Sequence, residues 1–116
     1  MARSALAATT IAATGYNLTD SADFAALSTG AGNGKEIVYD PAARIILKNT
    51  TGGAAAYTIK IPTPAQYSAI GITLSDMTVT VAAAKTWELK PHASMKQSDG
   101  KIYIDCDVAG SLLVLI

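Results

Sequence analysis

From Lys35 onward, apolar and polar positions alternate in short runs separated by Gly, Pro, Asn and Asp. That is the signature of strands that bury one face. Tyr57, Ile59 and Ile61 fall on one side of their run and Thr58 and Lys60 on the other. Met77, Val79 and Val81 alternate with Thr78 and Thr80, and Ile102, Ile104 and Cys106 with Tyr103 and Asp105. Trp87 and Leu89 alternate with Thr86, Glu88 and Lys90, which makes Trp87 a candidate core residue. Shorter runs at 36–39 and 44–48 and a final run at 111–116 bring the candidate strands to seven. The turn cluster 49–53 predicts a hairpin between 44–48 and 57–61. Pro62 and Pro64 stop the latter, because proline has no N–H for a ladder. Ser98-Asp99-Gly100 supplies a turn where glycine tolerates positive φ. With no convincing amphipathic helix, the pattern predicts an all-β fold: an antiparallel β-sandwich or jelly-roll-like barrel of about seven strands. The last strand is apolar on both faces. It must therefore be central in a sheet, covered by other parts of the chain, or buried against another subunit.

Residues 1–34 lack this periodicity and end in a Gly-rich stretch, Thr29-Gly30-Ala31-Gly32-Asn33-Gly34. They read as an extended N-terminal arm and a flexible loop, ahead of a sandwich domain at 35–116. Asp20 to Leu27 carries the pattern of one short capped helical turn. A secretory leader needs an apolar centre of about 7–15 residues, and Thr9, Thr10 and Thr14 interrupt the Ala-rich start. An extended arm is the better reading. No run is long enough to predict a membrane-spanning helix.

Composition changes the picture in one respect. The 116 residues carry nine basic and nine acidic side chains, a formal net charge of +0, with 50% hydrophobic and only 16% charged residues. Mean hydropathy is +0.29. This excludes intrinsic disorder and leaves no electrostatic footprint for nucleic acid or an anionic membrane. Soluble monomers usually keep more charge on their surface, so the balance points to a protein that lives in an assembly.

Candidate chemistry is sparse. Gly30 to Lys35 lacks the glycine spacing of a phosphate-binding loop, and Glu36 stands where that motif has Ser or Thr. His92 is the only histidine and Cys106 the only cysteine. The alternation points the Cys106 thiol into the core, where it acts as a small inert hydrophobe. Asp99, Asp105 and Asp107 could approach a cation, but three carboxylates fall short of the six or more oxygens a hard cation takes. The sequons at Asn17 and Asn49 are better explained by turn chemistry at Asn49 and lack other support. The expectation is a protein without catalytic residues, metal or cofactor.

Taken in order, several short motifs resemble those of the small β-sandwich proteins that decorate or cement the heads of tailed bacteriophages. They are Thr14-Gly15 and Ala22-Asp23, then Ile46-Leu47-Lys48-Asn49 ahead of a Thr/Gly/Ala turn and Tyr57-Thr58-Ile59. Gly71-Ile72-Thr73-Leu74-Ser75-Asp76 follows, leading into Thr78-Val79-Thr80-Val81, and Gln97-Ser98-Asp99-Gly100 into Ile102-Tyr103-Ile104. The likeness spans roughly 14–116, departing from the pattern at Ala82-Ala83-Ala84 and at 91–96. It implies a structural virion protein, with the major capsid protein as partner and a trimer or dimer as homo-oligomer. Such a protein sits on the head surface, after a stay in the host cytoplasm during assembly. It further implies a capsid-binding arm anchored by Leu6, Ile11, Tyr16 and Leu18. Subunit contacts are implied at Leu113, Leu115 and Ile116 and in the loops 62–76 and 91–98. A neck or tail component and a secreted carbohydrate-binding or adhesive domain remain as alternatives.

Overall fold

A computed structural model describes residues 3–11, 13–14 and 24–116. The alternating runs form strands: β3 (Lys35–Val38), β4 (Arg44–Lys48), β5 (Ala55–Ile59), β6 (Met77–Val81), β7 (Thr86–Leu89), β8 (Lys101–Cys106) and β9 (Ser111–Leu115). Two short strands precede them, β1 (Ser4–Leu6) and β2 (Ala25–Ala26), and one short helix, α1 (Ala65–Ser68), lies between β5 and β6. The strands make a five-stranded sheet, β1-β3-β8-β5-β6, and a four-stranded sheet, β2-β9-β4-β7. Between these strands pairing is antiparallel except that β1 runs parallel to β3, and the isolated bridges Thr9–Leu115 and Thr29–Cys106 are also parallel. The protein is an all-β sandwich, with its main core between the sheets. Tyr57, Ile59, Ile102, Ile104 and Cys106 face Ile45, Leu47, Leu112 and Val114 across it. Each large side chain so buried contributes about 1.5–3 kcal/mol.

The expected hairpin between 44–48 and 57–61 does not form. β4 pairs with β7 and β9, and β5 with β6 and β8, so the chain changes sheets at 49–54. Asn49 directs that crossing. Its amide N–H groups donate to the Gly53 C=O (2.7 Å) and to the Val81 C=O (2.9 Å), and its Oδ1 accepts from the Thr51 N–H. The buried side chain thereby satisfies all its polar atoms and ties the turn to β6. A sugar could not reach it.

The N-terminal segment departs further from expectation. Its described residues are strands of the sandwich rather than a free arm, and Leu27 lies in the core. β1 extends one sheet beyond β3. Residues 9–11 then run beside β9 in the other sheet: the Thr9 N–H donates to the Val114 C=O (2.7 Å) and the Ile11 N–H to the Ile116 C=O (2.8 Å). Ala25 and Ala26, within the helical turn expected at 20–27, instead pair with the start of the same strand; residues 20–23 of that expectation lie outside the described residues. One segment thus supplies the last strand at one edge of each sheet.

The Gly-rich stretch is equally built in. A Cβ on Gly34 would collide with the Ile104 C=O and stand 2.8 Å from the Asp105 Cα, so the close approach admits only glycine. Gly110 is held for a similar reason under the Tyr57 ring. The Tyr57 hydroxyl donates to the Lys48 C=O (2.6 Å) and accepts from the Ser111 N–H (3.1 Å). Burial, and then neighbouring Cys106, push its phenol up to about 12.

Candidate interaction surface

The connection from β5 to β6 leaves the sandwich and returns. Pro62 and Pro64 end β5 pairing, and α1 closes on a glycine cap at Gly71 (φ 81°). There the Ile72 N–H donates to the Tyr67 C=O and the Gly71 N–H to the Ser68 C=O, the paired bonds of a Schellman turn. Asp76 clamps the base of the excursion. Its carboxylate accepts from Lys60 Nζ (2.7 Å) and from the Ile61 N–H (2.9 Å), and these two bonds hold its carboxyl below the usual value. The Thr63 hydroxyl accepts from the Leu74 N–H inside it.

Every residue from Pro64 to Asp76 is exposed. The apolar side chains of Tyr67, Ile70 (71% exposed), Ile72 and Leu74 therefore stand in water. From Ile61 to Ala84 the only charged residue is Asp76, and Lys60 already neutralises it. An uncharged, apolar projection running into an uncharged edge strand loses little hydration when covered, which is what a contact surface requires. Trp87 adds to the exposed apolar surface. Its register opposite Leu47 does turn it to the inner face, as alternation predicts, but β7 ends the sheet and leaves the ring 48% exposed.

The other predicted positions fall elsewhere. Leu6 packs at the margin of the main core, and Ile11 with Phe24 covers the outer face of the four-stranded sheet. Tyr16 and Leu18 lie outside the described residues. Leu113 and Leu115 are each 2% exposed beneath Ile11, Phe24 and Ile46, so their surface is already covered by this chain. β9 is apolar on both faces because both faces are packed. Of that trio only Ile116, 40% exposed, is open to a neighbour.

The acidic residues are occupied by the fold. Asp105 accepts from Arg3 Nε (2.9 Å) and Nη2 (2.6 Å), from the Gly32 N–H (3.0 Å) and from the Gly34 N–H (3.1 Å). Burial alone would raise its carboxyl; the guanidinium and the two amides together hold it below its ordinary value. Arg3 also lies over the Tyr103 ring, 4.7 Å from its centroid. Asp99 accepts from the Tyr103 hydroxyl and the Lys101 N–H, and Asp107 from the Ala56 N–H. Among the described residues no group of three or more His, Cys, Asp or Glu could hold a metal ion.

A recess of about 240 Å³ between the Gly-rich loop and β5 is lined by Thr58, Lys60, Asp105 and Asp107. Its charged groups are the ones just described, each already bonded to the protein. His92 is exposed, and its Nδ1 accepts from the Ser94 N–H to cap a single 3-10 turn. Cys106 is buried, with its thiol pushed up by that burial. No described helix is long and apolar enough to cross a membrane. Compared with protein-family models, curated proteins and solved structures, the chain matches none.

The uncharged projection could have been read from the sequence. The signal is the charge-free run 61–75 between two strands, where exposed loops usually carry Lys, Glu or Asp.

Proposed function

We propose that the protein is a structural virion subunit, a decoration or cement protein that binds the outer surface of a phage head where capsomers meet. It works as a homo-oligomer and performs no catalysis. The observation that carries this reading is the exposed, uncharged projection at 62–75, together with the resemblance of the ordered motifs. A cement protein acts mechanically: a rigid sandwich presents an apolar element that inserts between capsid subunits and resists their separation under internal pressure. The capsid contact is the 62–75 projection, and the N-terminal segment serves to stiffen the sandwich.

The test is co-expression with the major capsid protein of the same genome, followed by sedimentation of the heads. Stoichiometric binding that I70D/I72D abolishes, with circular dichroism unchanged, supports the proposal. A folded wild-type protein that stays in the supernatant overturns it, as does a genome that encodes no capsid protein.

The exposure of Trp87 favours one second reading, a carbohydrate-binding β-domain, since sugars stack on open indole rings. Tryptophan fluorescence titrated with soluble oligosaccharides decides this; an unchanged spectrum removes the alternative.

A further inference from the structure

We infer that β6 is a seam between two copies of this chain, paired antiparallel about a two-fold axis at Val79. The Ala56 C=O accepts from the Asp107 N–H, and the Lys60 N–H donates to the Tyr103 C=O, so alternate residues of β5 turn their amides toward β8. The intervening residues, Ala55, Tyr57 and Ile59, turn theirs toward β6, where the register sets them opposite Val81, Val79 and Met77. Thr78 and Thr80 are left with N–H and C=O groups directed away from the sheet, and β6 is its last strand. Among the described residues nothing pairs with these four groups, which form an open edge.

Edge strands are normally guarded by charge, proline or a bulge against pairing with another chain. β7, the neighbouring edge, is flanked and interrupted by Lys85, Glu88 and Lys90. β6 has no such guard: from Met77 to Ala84 there is no charge and no proline, and its pairing with β5 runs without interruption.

The choice of a second copy as occupant rests on the order of residues within the strand. Met77-Thr78-Val79-Thr80-Val81 reads nearly the same in both directions. A two-fold axis at Val79 places Thr78 opposite Thr80 of the other copy twice, and Met77 opposite Val81 twice. The two threonine pairs are the ones whose backbone groups face outward, so each exchanges two hydrogen bonds across the seam. Threonine pairs are favourable partners across strands. The apolar row Met77, Val79 and Val81 continues into the same row of the partner, joining the two cores. No like charges meet, and the contact is self-complementary, as an isologous interface must be. An edge pairing alone covers less than the ~800 Å² per partner of a standard stable interface, so affinity is on the order of micromolar. On a crowded lattice, local concentration would complete the pairing.

This assigns a seam to the homo-oligomer of the proposed function. It is tested on the isolated protein, so its failure and the failure of head binding are separate results. Sedimentation velocity over a concentration series should show a monomer–dimer equilibrium in wild type. T78K/T80K, on two exposed side chains, sets like charges opposite each other and weakens the dimer at least about tenfold. T78K/T80E sets opposite charges across the same pairs and restores it. A wild-type protein that stays monomeric well above micromolar concentration overturns the seam. So does an oligomer that T78K/T80K leaves unchanged, or a T78K/T80E variant no tighter than T78K/T80K. Should the lysine variant fail to fold, hydrogen exchange of the wild-type Thr78 and Thr80 amides decides. Protection that grows with concentration supports the seam, and rapid exchange at every concentration overturns it.

Discussion

On one flank of the sandwich, both sheets end in strands supplied by the N-terminal segment, β1 beside β3 and residues 9–11 with β2 beside β9. On the other flank they end in β6 and β7, joined by the short link 82–85, and no described residue pairs with their outer edges. The closed flank carries a partly buried ion pair, two amides on one carboxylate and a glycine with no room for a Cβ. The open flank carries an exposed Trp87, an unguarded strand and, leading into it, an uncharged projection. Polar atoms are spent on holding the molecule together at one side and withheld at the other.

The largest effect on the closed flank is expected from Gly34→Ala. The added Cβ has backbone atoms of β8 in its way, so we expect a loss of at least about 3 kcal/mol or failure to fold, read by urea denaturation. A loss below about 1 kcal/mol would mean that the Gly-rich loop is not seated on β8.

Next in size is Arg3→Ala, which strands the buried Asp105 carboxylate on two amides alone. We expect a loss of about 2–3 kcal/mol at pH 7, and the variant also changes the acid dependence. The folded Asp105 carboxyl lies below its unfolded value. Its contribution is therefore fully present above the unfolded pKa of about 4 and disappears as pH falls through the lower folded value. Stability of the wild type should fall as pH drops below about 4, and more steeply than that of Arg3→Ala. Parallel pH profiles for the two proteins would show that the clasp is not made in solution.

The open flank should respond in the opposite sense. Ala84, in the link from β6 to β7, sits at φ 60°, where an L-residue with a Cβ is strained. Ala84→Gly should raise stability by up to about 1 kcal/mol, offset in part by glycine's greater freedom in the unfolded chain. A loss in melting temperature would refute the left-handed turn. Smallest of all, Ile70→Ser should change unfolding free energy by less than about 0.5 kcal/mol, because its side chain is 71% exposed and has little packing to lose. A larger loss would mean that the projection folds back onto the sandwich.

The strands themselves were legible. All seven alternating runs appear within a residue or two of their sequence limits, and Cys106 lies inward as its register requires. Sheet membership was not legible. The turn residues after Lys48 suit a hairpin and a change of sheet equally, and the Asn49 contact with Val81, 32 positions away, selects between them. Trp87 illustrates a second limit. Alternation gave its direction correctly, but whether an inward ring is buried depends on how far the opposing sheet extends. The Arg3–Asp105 clasp spans 102 positions and had no local signal at either end.

The all-β class, the position of each core strand, the inward face of each strand and the shortage of charge are local properties of the chain. These follow from period-two patterning and turn chemistry, which act over a few residues. Only the tertiary structure decided that the N-terminal residues are edge strands, that Asp105 is spoken for by an arginine, and that β9 is covered on both faces by its own chain. Only there does the shortage of charge acquire an address, the projection at 62–75 and the free edge of β6. The physical reason is that edge pairing and charge neutralisation join residues far apart in the chain, and local pattern carries no record of which distant partner arrives.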